Sequence, residues 1–190
     1  MNIQNPKPRN EALSFIWETI KVIIISLAII LPIRYYLVQP FFVKGASMEP
    51  NFEDGDYLLI DEISYRFEEP ARGDVVIFRY PEDKSQFFIK RIVGLPGEAV
   101  EIKNNKVFIY NSASPDGMVL PENYLDQGQQ TLGNMLMRLD DNDYFVLGDN
   151  RMASSDSRRW GPVDKILITG KVFLRAWPFN KFDKTEGVNY

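Results

Sequence analysis

The chain contains no histidine and no cysteine. The first absence rules out a Ser-His-Asp triad, and the second rules out a cysteine nucleophile. Together they remove zinc sites built on imidazole or thiolate. Disulfides are excluded too, although that alone does not fix the compartment. An excess of positive charge is also lacking. With 22 Lys and Arg against 26 Asp and Glu, the net charge is −4, which argues against a nucleic-acid-binding surface. Acid–base chemistry near neutral pH must therefore come from Lys, Tyr, Asp or Glu with displaced pKa values. No metal site and no cofactor is expected. Asp140-Asp141-Asn142-Asp143 lacks the glycine and glutamate of a calcium loop and reads as a solvated turn. Arg72-Gly73-Asp74 reads as a turn before a strand.

One long apolar run is present. It extends from Phe15 to Val38, and Val22 to Ile33 carries no charge. The helical rise from Trp17 to Tyr35 is about 27 Å, close to a bilayer core. Trp17 and the Tyr35-Tyr36 pair suit the two interfaces, and Lys21 and Arg34 stand where long cations snorkel. Pro32 is expected to kink the helix late. A cleaved signal peptide and a buried core helix compete with the anchor. Val38 to Ala46 offers no Ala-x-Ala cleavage site, however. The expected order is a cytoplasmic tail over 1–14, an anchor over 15–38 and an extracytoplasmic domain over 39–190. The positive-inside rule favours that orientation only slightly.

Beyond residue 41 the texture changes to short β-type runs. Strands are expected at 56–61, 74–79, 87–93, 99–103, 107–110, 144–147 and 171–177. Asn104-Asn105 reads as a hairpin turn and Pro96-Gly97 as another turn. Residues 104–142 read as a small loop-rich subdomain. The domain is thus expected to be mostly β, built from antiparallel strands.

Three segments carry residues suited to chemistry. In Lys44-Gly45-Ala46-Ser47-Met48-Glu49-Pro50 a serine flanked by small residues lies on a turn. Taken alone, it reads more simply as a loop serine. In the run 86–97 a strand carries Phe88, Lys90 and Ile92 on one face and Ile89, Arg91 and Val93 on the other. A lysine sharing an apolar face loses proton affinity and can act as a base; a snorkelling edge lysine is the commoner case. The run 148–161 packs acids, arginines and serines into one loop after an apolar strand. Either a solvated loop or an ion-paired network fits it.

At these segments the chain resembles the bacterial type I signal peptidase family. GASMEP resembles its nucleophile box, RGDVVIF and FFIKRIVGLPGE its strand and lysine boxes, and GDNRMASSDSR its last box. They occur in family order behind an N-terminal anchor, and the short spacing resembles the compact members of Gram-positive bacteria. The resemblance implies two antiparallel β-sheets and a Ser–Lys dyad with Ser47 as nucleophile and Lys90 as base. It further implies that Ser154 orients the lysine amine, that Asp156 and Arg158 form a supporting ion pair, and that Met48 lines the site. Three positions depart from the pattern: Gly45 where some members place an oxyanion-hole serine, Asn51 for the usual Thr, and Glu98 for the usual Asp. With Gly45, only backbone donors remain there, the Ser47 N–H first among them. The implied activity is removal of signal peptides from exported preproteins after small residues (Ala-x-Ala), at the membrane lipid surface. A self-cleaving LexA-type protease lacks the anchor and has a DNA-binding segment that is missing here. A non-catalytic partner-binding β-domain does not need Ser47, Lys90 and Ser154 intact.

Overall fold

The computed structural model describes residues 11–32, 38–126 and 128–184. The chain divides at Val38–Gln39 into two units. The first contains helix α1 (Glu11–Pro32). The run is rich in β-branched residues, which are weak helix formers in water. In lipid, however, only a helix satisfies the backbone of a single segment internally. Its Leu13–Leu31 window is long and apolar enough to cross a membrane. The helix ends at the proline expected to kink it, and 33–37 lie outside the described residues.

Among the described residues, short 3-10 turns aside, the second unit is built from twelve strands and one short α-helix. These are β1 (Val38–Phe42), β2 (Tyr57–Asp61), β3 (Val75–Arg79), β4 (Phe87–Gly94), β5 (Ala99–Lys103) and β6 (Lys106–Tyr110). Then come β7 (Met118–Val119), β8 (Met135–Arg138), β9 (Asp143–Leu147), α2 (Ser157–Trp160), β10 (Val163–Asp164), β11 (Ile168–Trp177) and β12 (Asp183–Lys184). The large sheet runs β1-β2-β11-β3-β4-β9-β10, with β12 paired to β11; the small sheet runs β7-β6-β5-β8. The pairing between β2, β11, β3, β4 and β9, and throughout the small sheet, is antiparallel.

Central β3 explains the core. Val75 and Ile77 join Met48, Phe52, Leu58, Ile60 and Ile89 in one apolar cluster. Val76 and Phe78 join Ile92, Tyr144, Val146 and Val163 in another. A strand covered on both faces reads as a continuous apolar run, as Val75 to Phe78 does. Asn104 and Asn105 take positive φ values of 52° and 61°, the conformation of a two-residue type I′ hairpin, and Lys103 pairs with Lys106 across it. The stretch 104–142 holds β6, β7 and β8, more strand than its sequence texture suggests. In β8, Met-Leu-Met carries no β-branched residue, and the strand is specified by its pairing with β5.

Gly94 ends β4 where the two sheets meet. A Cβ there would overlap Val100 and lie 2.9 Å from both Leu139 Cδ1 and Phe145 Cβ, all three in the buried cluster beneath the small sheet. Gly94→Ala is therefore expected to lower stability by about 1–3 kcal/mol. The denaturant midpoint measures it, and an unchanged midpoint would contradict the packing described.

Candidate active site

The turn after β1 carries Ser47. Gly45 has φ +85°, a conformation that L side chains rarely adopt. Its N–H donates to Asp54 Oδ1 at 2.7 Å, so this N–H is already engaged. Met48 is fully buried in the core beneath the turn. Ser47 is thus held between a pinned glycine and an apolar anchor. From the other side, Asn150 donates through its N–H to the Ser47 carbonyl and through Nδ2 to the Ala46 carbonyl, each at 3.0 Å.

β4 brings the two cations into the interior. Lys90 and Arg91 are each only 4% exposed, and alternation turns them to opposite faces. Lys90 Nζ lies 2.7 Å from Ser47 Oγ, 2.8 Å from the Ile89 carbonyl and 5.4 Å from the Phe88 ring centroid. Burial pushes the amine down to about 8, while the Asp156 and Asp149 charges act in the opposite sense. Arg91 has the opposite fate. Its Nε and Nη2 grip Asp149 at 2.8 and 2.6 Å, and its Nη1 donates to the Gly73 carbonyl. A guanidinium cannot discharge itself, so it requires that partner.

The segment after β9 shapes the site. Asp156 is fully buried and accepts from Arg158 Nε and Nη2 at 2.8 and 2.9 Å and from the Gly148 N–H at 3.1 Å. Arg158 Nη2 also donates to the Arg151 carbonyl at 2.7 Å. A Cβ at Gly148 would overlap Ser154 Oγ and the Ser47 carbonyl, so Ser154 packs beside the nucleophile turn.

Two expectations need correction. The hydrogen bond from Ser154 to the lysine amine is not formed: Ser154 Oγ is buried without a partner. The amine instead engages Ser47 and the Ile89 carbonyl. Met48 does not line the open cleft; its apolar side chain is drawn into the core instead. That cleft has a volume of about 900 Å³. Phe41, Phe42, Val43, Phe87, Phe88 and Ile89 line it together with Ser47 and Lys90. The Phe41 and Phe87 rings meet edge to face at 5.5 Å. Among the described residues no acidic cluster is suited to a metal ion. The cleft can hold an extended apolar peptide, and the pair within it can move a proton from hydroxyl to amine.

Sequence reasoning missed Asp54 and Tyr124. Asp54 reads as an ordinary turn acid, and nothing around Pro121 to Asp126 marks a residue that packs on Arg91.

The sequence model of the family described as signal peptidase, peptidase S26, matches residues 16–177. The chain belongs to this family. It is 35% identical over 176 residues to a probable signal peptidase I-1 of Synechocystis sp., covering 88% of this chain and 86% of that protein. It is 33% identical over 177 residues to signal peptidase IB of Staphylococcus aureus, covering 87% and 91%. A crystal structure of a signal peptidase I from Enterococcus faecalis covers 55% of this chain and 97% of its own, at 29% identity and a TM-score of 0.46. The chain is therefore a peptidase of the signal peptidase family, which acts on preproteins bearing signal peptides. Its N-terminal apolar helix fits membrane anchoring.

The buried amine links stability to pH. Below about 8 it is charged in both the folded and unfolded states, and the folded state bears the full cost of burying it. Between about 8 and 10.5 the unfolded chain keeps the proton that the folded chain has released, so stability rises with pH. The difference amounts to about 3 kcal/mol. Lys90→Met is expected to be more stable than wild type near pH 7, with the gap closing by pH 10.5. Denaturant unfolding at several pH values measures it; a gap constant with pH would mean that burial does not depress the amine.

Proposed function

We propose that this chain is a membrane-anchored endopeptidase that removes signal peptides after small residues, with Ser47 as nucleophile and Lys90 as general base. The observation that carries this reading is the 2.7 Å approach of Lys90 Nζ to Ser47 Oγ inside an apolar cleft. An amine pushed down to about 8 is partly neutral at physiological pH and can accept the hydroxyl proton. Ser47 Oγ then attacks the scissile carbonyl. The Lys90 ammonium protonates the leaving amine as the peptide bond breaks, leaving an acyl ester on Ser47. Lys90, neutral again, takes a proton from the water that attacks the ester and gives it to Ser47 Oγ as the ester C–O bond breaks, so the acid product leaves with both residues restored.

The Ser47 N–H is the backbone donor assigned to the oxyanion, since the Gly45 N–H is engaged by Asp54. Asp156 and Arg158 hold the shape of the loop behind the base. Ser154 is assigned to orienting the amine during turnover. Specificity for Ala-x-Ala sites is assigned to two shallow apolar pockets of the cleft, for the first and third residues before the cleaved bond, where larger side chains would overlap.

The proposed arrangement is a cytoplasmic tail over 1–14, an anchor over 15–38 and a catalytic unit over 39–190 on the extracytoplasmic face. The anchor keeps the cleft where substrates emerge and raises their effective concentration. Trp177 and Phe179 meet edge to face at 4.7 Å and are 52% and 75% exposed. Phe42 meets Tyr57 likewise, and Tyr57 pairs with Trp177. This aromatic ridge supports contact with the lipid interface.

Ser47→Ala is expected to abolish cleavage of a preprotein with an Ala-x-Ala site while the protein stays folded. Wild-type activity should rise with pH through an apparent pKa of about 8, and no histidine exists to account for that limb. Lys90→Arg should be as inactive as Lys90→Ala, because guanidinium stays protonated. Substantial cleavage by Lys90→Arg with an unchanged pH profile would falsify the assignment of the base.

A further inference from the structure

Tyr124 has no part in the chemistry above, yet three other segments converge on it, through Asn51, Arg91 and Arg151. It lies in the connection between β7 and β8. Its ring covers the Arg91 guanidinium at 4.3 Å, and the Arg151 guanidinium lies 6.0 Å from the same ring centroid. Its hydroxyl accepts from Arg151 Nη2 at 2.9 Å and donates to Glu122 Oε1 at 3.1 Å. Its carbonyl accepts from Asn51 Nδ2 at 2.9 Å, and the same nitrogen donates to Asp149 Oδ2 at 2.8 Å.

Resting on the dyad reading, we infer that Tyr124, tied down by Asn51, is a positioning residue that sets the Lys90–Ser47 geometry through the buried Arg91–Asp149 pair. Asp149 meets Arg91 in the guanidinium plane through two parallel bonds. In-plane pairing leaves the guanidinium face open, and the Tyr124 ring covers it. Asn51 is suited to its place because one amide nitrogen carries two protons and here serves two acceptors. A hydroxyl side chain has one proton and serves one.

The route to the dyad is short. Arg91 follows Lys90 on β4, so a shift of Arg91 moves the peptide unit that carries the base. Asp149 precedes Asn150, which holds the carbonyls of Ala46 and Ser47. Base strand and nucleophile turn are thus both referenced to the turn at 148–151, and Tyr124 closes that turn from the small-sheet side. A displacement of roughly 1 Å between reacting groups lowers turnover by about a hundred-fold. Tyr124, Asn51, Arg91 and Asp149 are not among the residues that line the cleft, so substrate affinity should be spared.

The test uses the full-length chain in detergent and a preprotein with an Ala-x-Ala site. Tyr124→Leu is expected to lower kcat by about ten- to a hundred-fold while KM changes by less than about twofold. Tyr124→Phe keeps the ring over Arg91 and should recover kcat to within about threefold of wild type. Asn51→Ala releases the same segment from the other side and should also lower kcat with KM spared. It decides the matter if the leucine variant does not fold. Wild-type kcat in folded Tyr124→Leu or Asn51→Ala, a loss carried by KM, or a phenylalanine variant as impaired as the leucine one overturns the inference. Ser47→Ala is run in parallel. If it still cleaves, the dyad reading itself fails; if it is inactive while Tyr124→Leu is unaffected, only the positioning role fails.

Discussion

Lys90 stands in the interior of the large sheet without a carboxylate bonded to its amine, and that arrangement is costly whenever the amine is charged. Neighbouring Arg91 shows the alternative. It is equally buried, but Asp149 neutralises it through a two-point contact. The difference follows from chemistry: guanidinium retains its proton under all ordinary conditions, whereas a lysine amine can lose its own. A fold can therefore bury an arginine only with a partner, but can bury a lysine alone and change its protonation instead. The two aspartates that influence Lys90 are both committed elsewhere, Asp149 to Arg91 and Asp156 to Arg158. They act on the amine by charge at a distance, and burial still prevails.

The sheet order makes this arrangement available. β4 lies between β3 and β9, so both its edges are paired, and its residues from Ile89 to Gly94 are buried on either face, Lys90 and Arg91 among them. β9 delivers the loop at 148–156 directly beside it, carrying both aspartates and Asn150. β1 at the far edge supplies the turn with Ser47, and Asn150 ties that turn to the β9 loop. Three segments distant in sequence thus meet through Asn150 and the Arg91–Asp149 pair, while Asp156 and Arg158 brace the loop itself. Apolar packing of Met48 with Val43, Phe52 and Ile89 fixes the turn from below.

The strand alternation, the Asn104-Asn105 hairpin and the buried character of β3 were all legible, because each depends on neighbours close in sequence. So was the placing of Lys90 beside apolar residues, which needs only the two-residue period of β4. The contacts that build the site were not legible in the same way. Lys90 meets Ser47 across 43 residues, Asn51 meets Asp149 across 98, and Asn150 meets Ala46 across 104. No local pattern encodes such pairs; the ordered motifs of a known family brought those segments together as expectations. Even that guide missed Tyr124, whose importance depends on which arginine lies beneath its ring. It also placed Met48 at the cleft surface, where apolar chemistry alone would send it inward. β8 was missed because Met and Leu serve strands and helices alike.

The proposed role of Ser154 rests on the hydrogen bonds open to the lysine amine. A charged lysine amine has three N–H groups; two find acceptors here, Ser47 Oγ and the Ile89 carbonyl. A neutral amine has two N–H groups and one lone pair. When Ser47 donates into that lone pair, its oxygen no longer accepts from the amine, and only the Ile89 carbonyl still serves an N–H. Either state therefore leaves one N–H over. Ser154 Oγ is meanwhile a buried hydroxyl without a partner, packed against the same turn. Leaving a buried polar group unsatisfied costs about 1–3 kcal/mol, and a hydroxyl rotor reorients readily. A bond between the two would satisfy both groups in either protonation state, so it does not by itself favour the deprotonated base. In the neutral state, with Ile89 and Ser154 each taking one N–H, the lone pair is left directed at Ser47. The contribution open to Ser154 is therefore to the direction of that lone pair, while burial sets the protonation state of the amine.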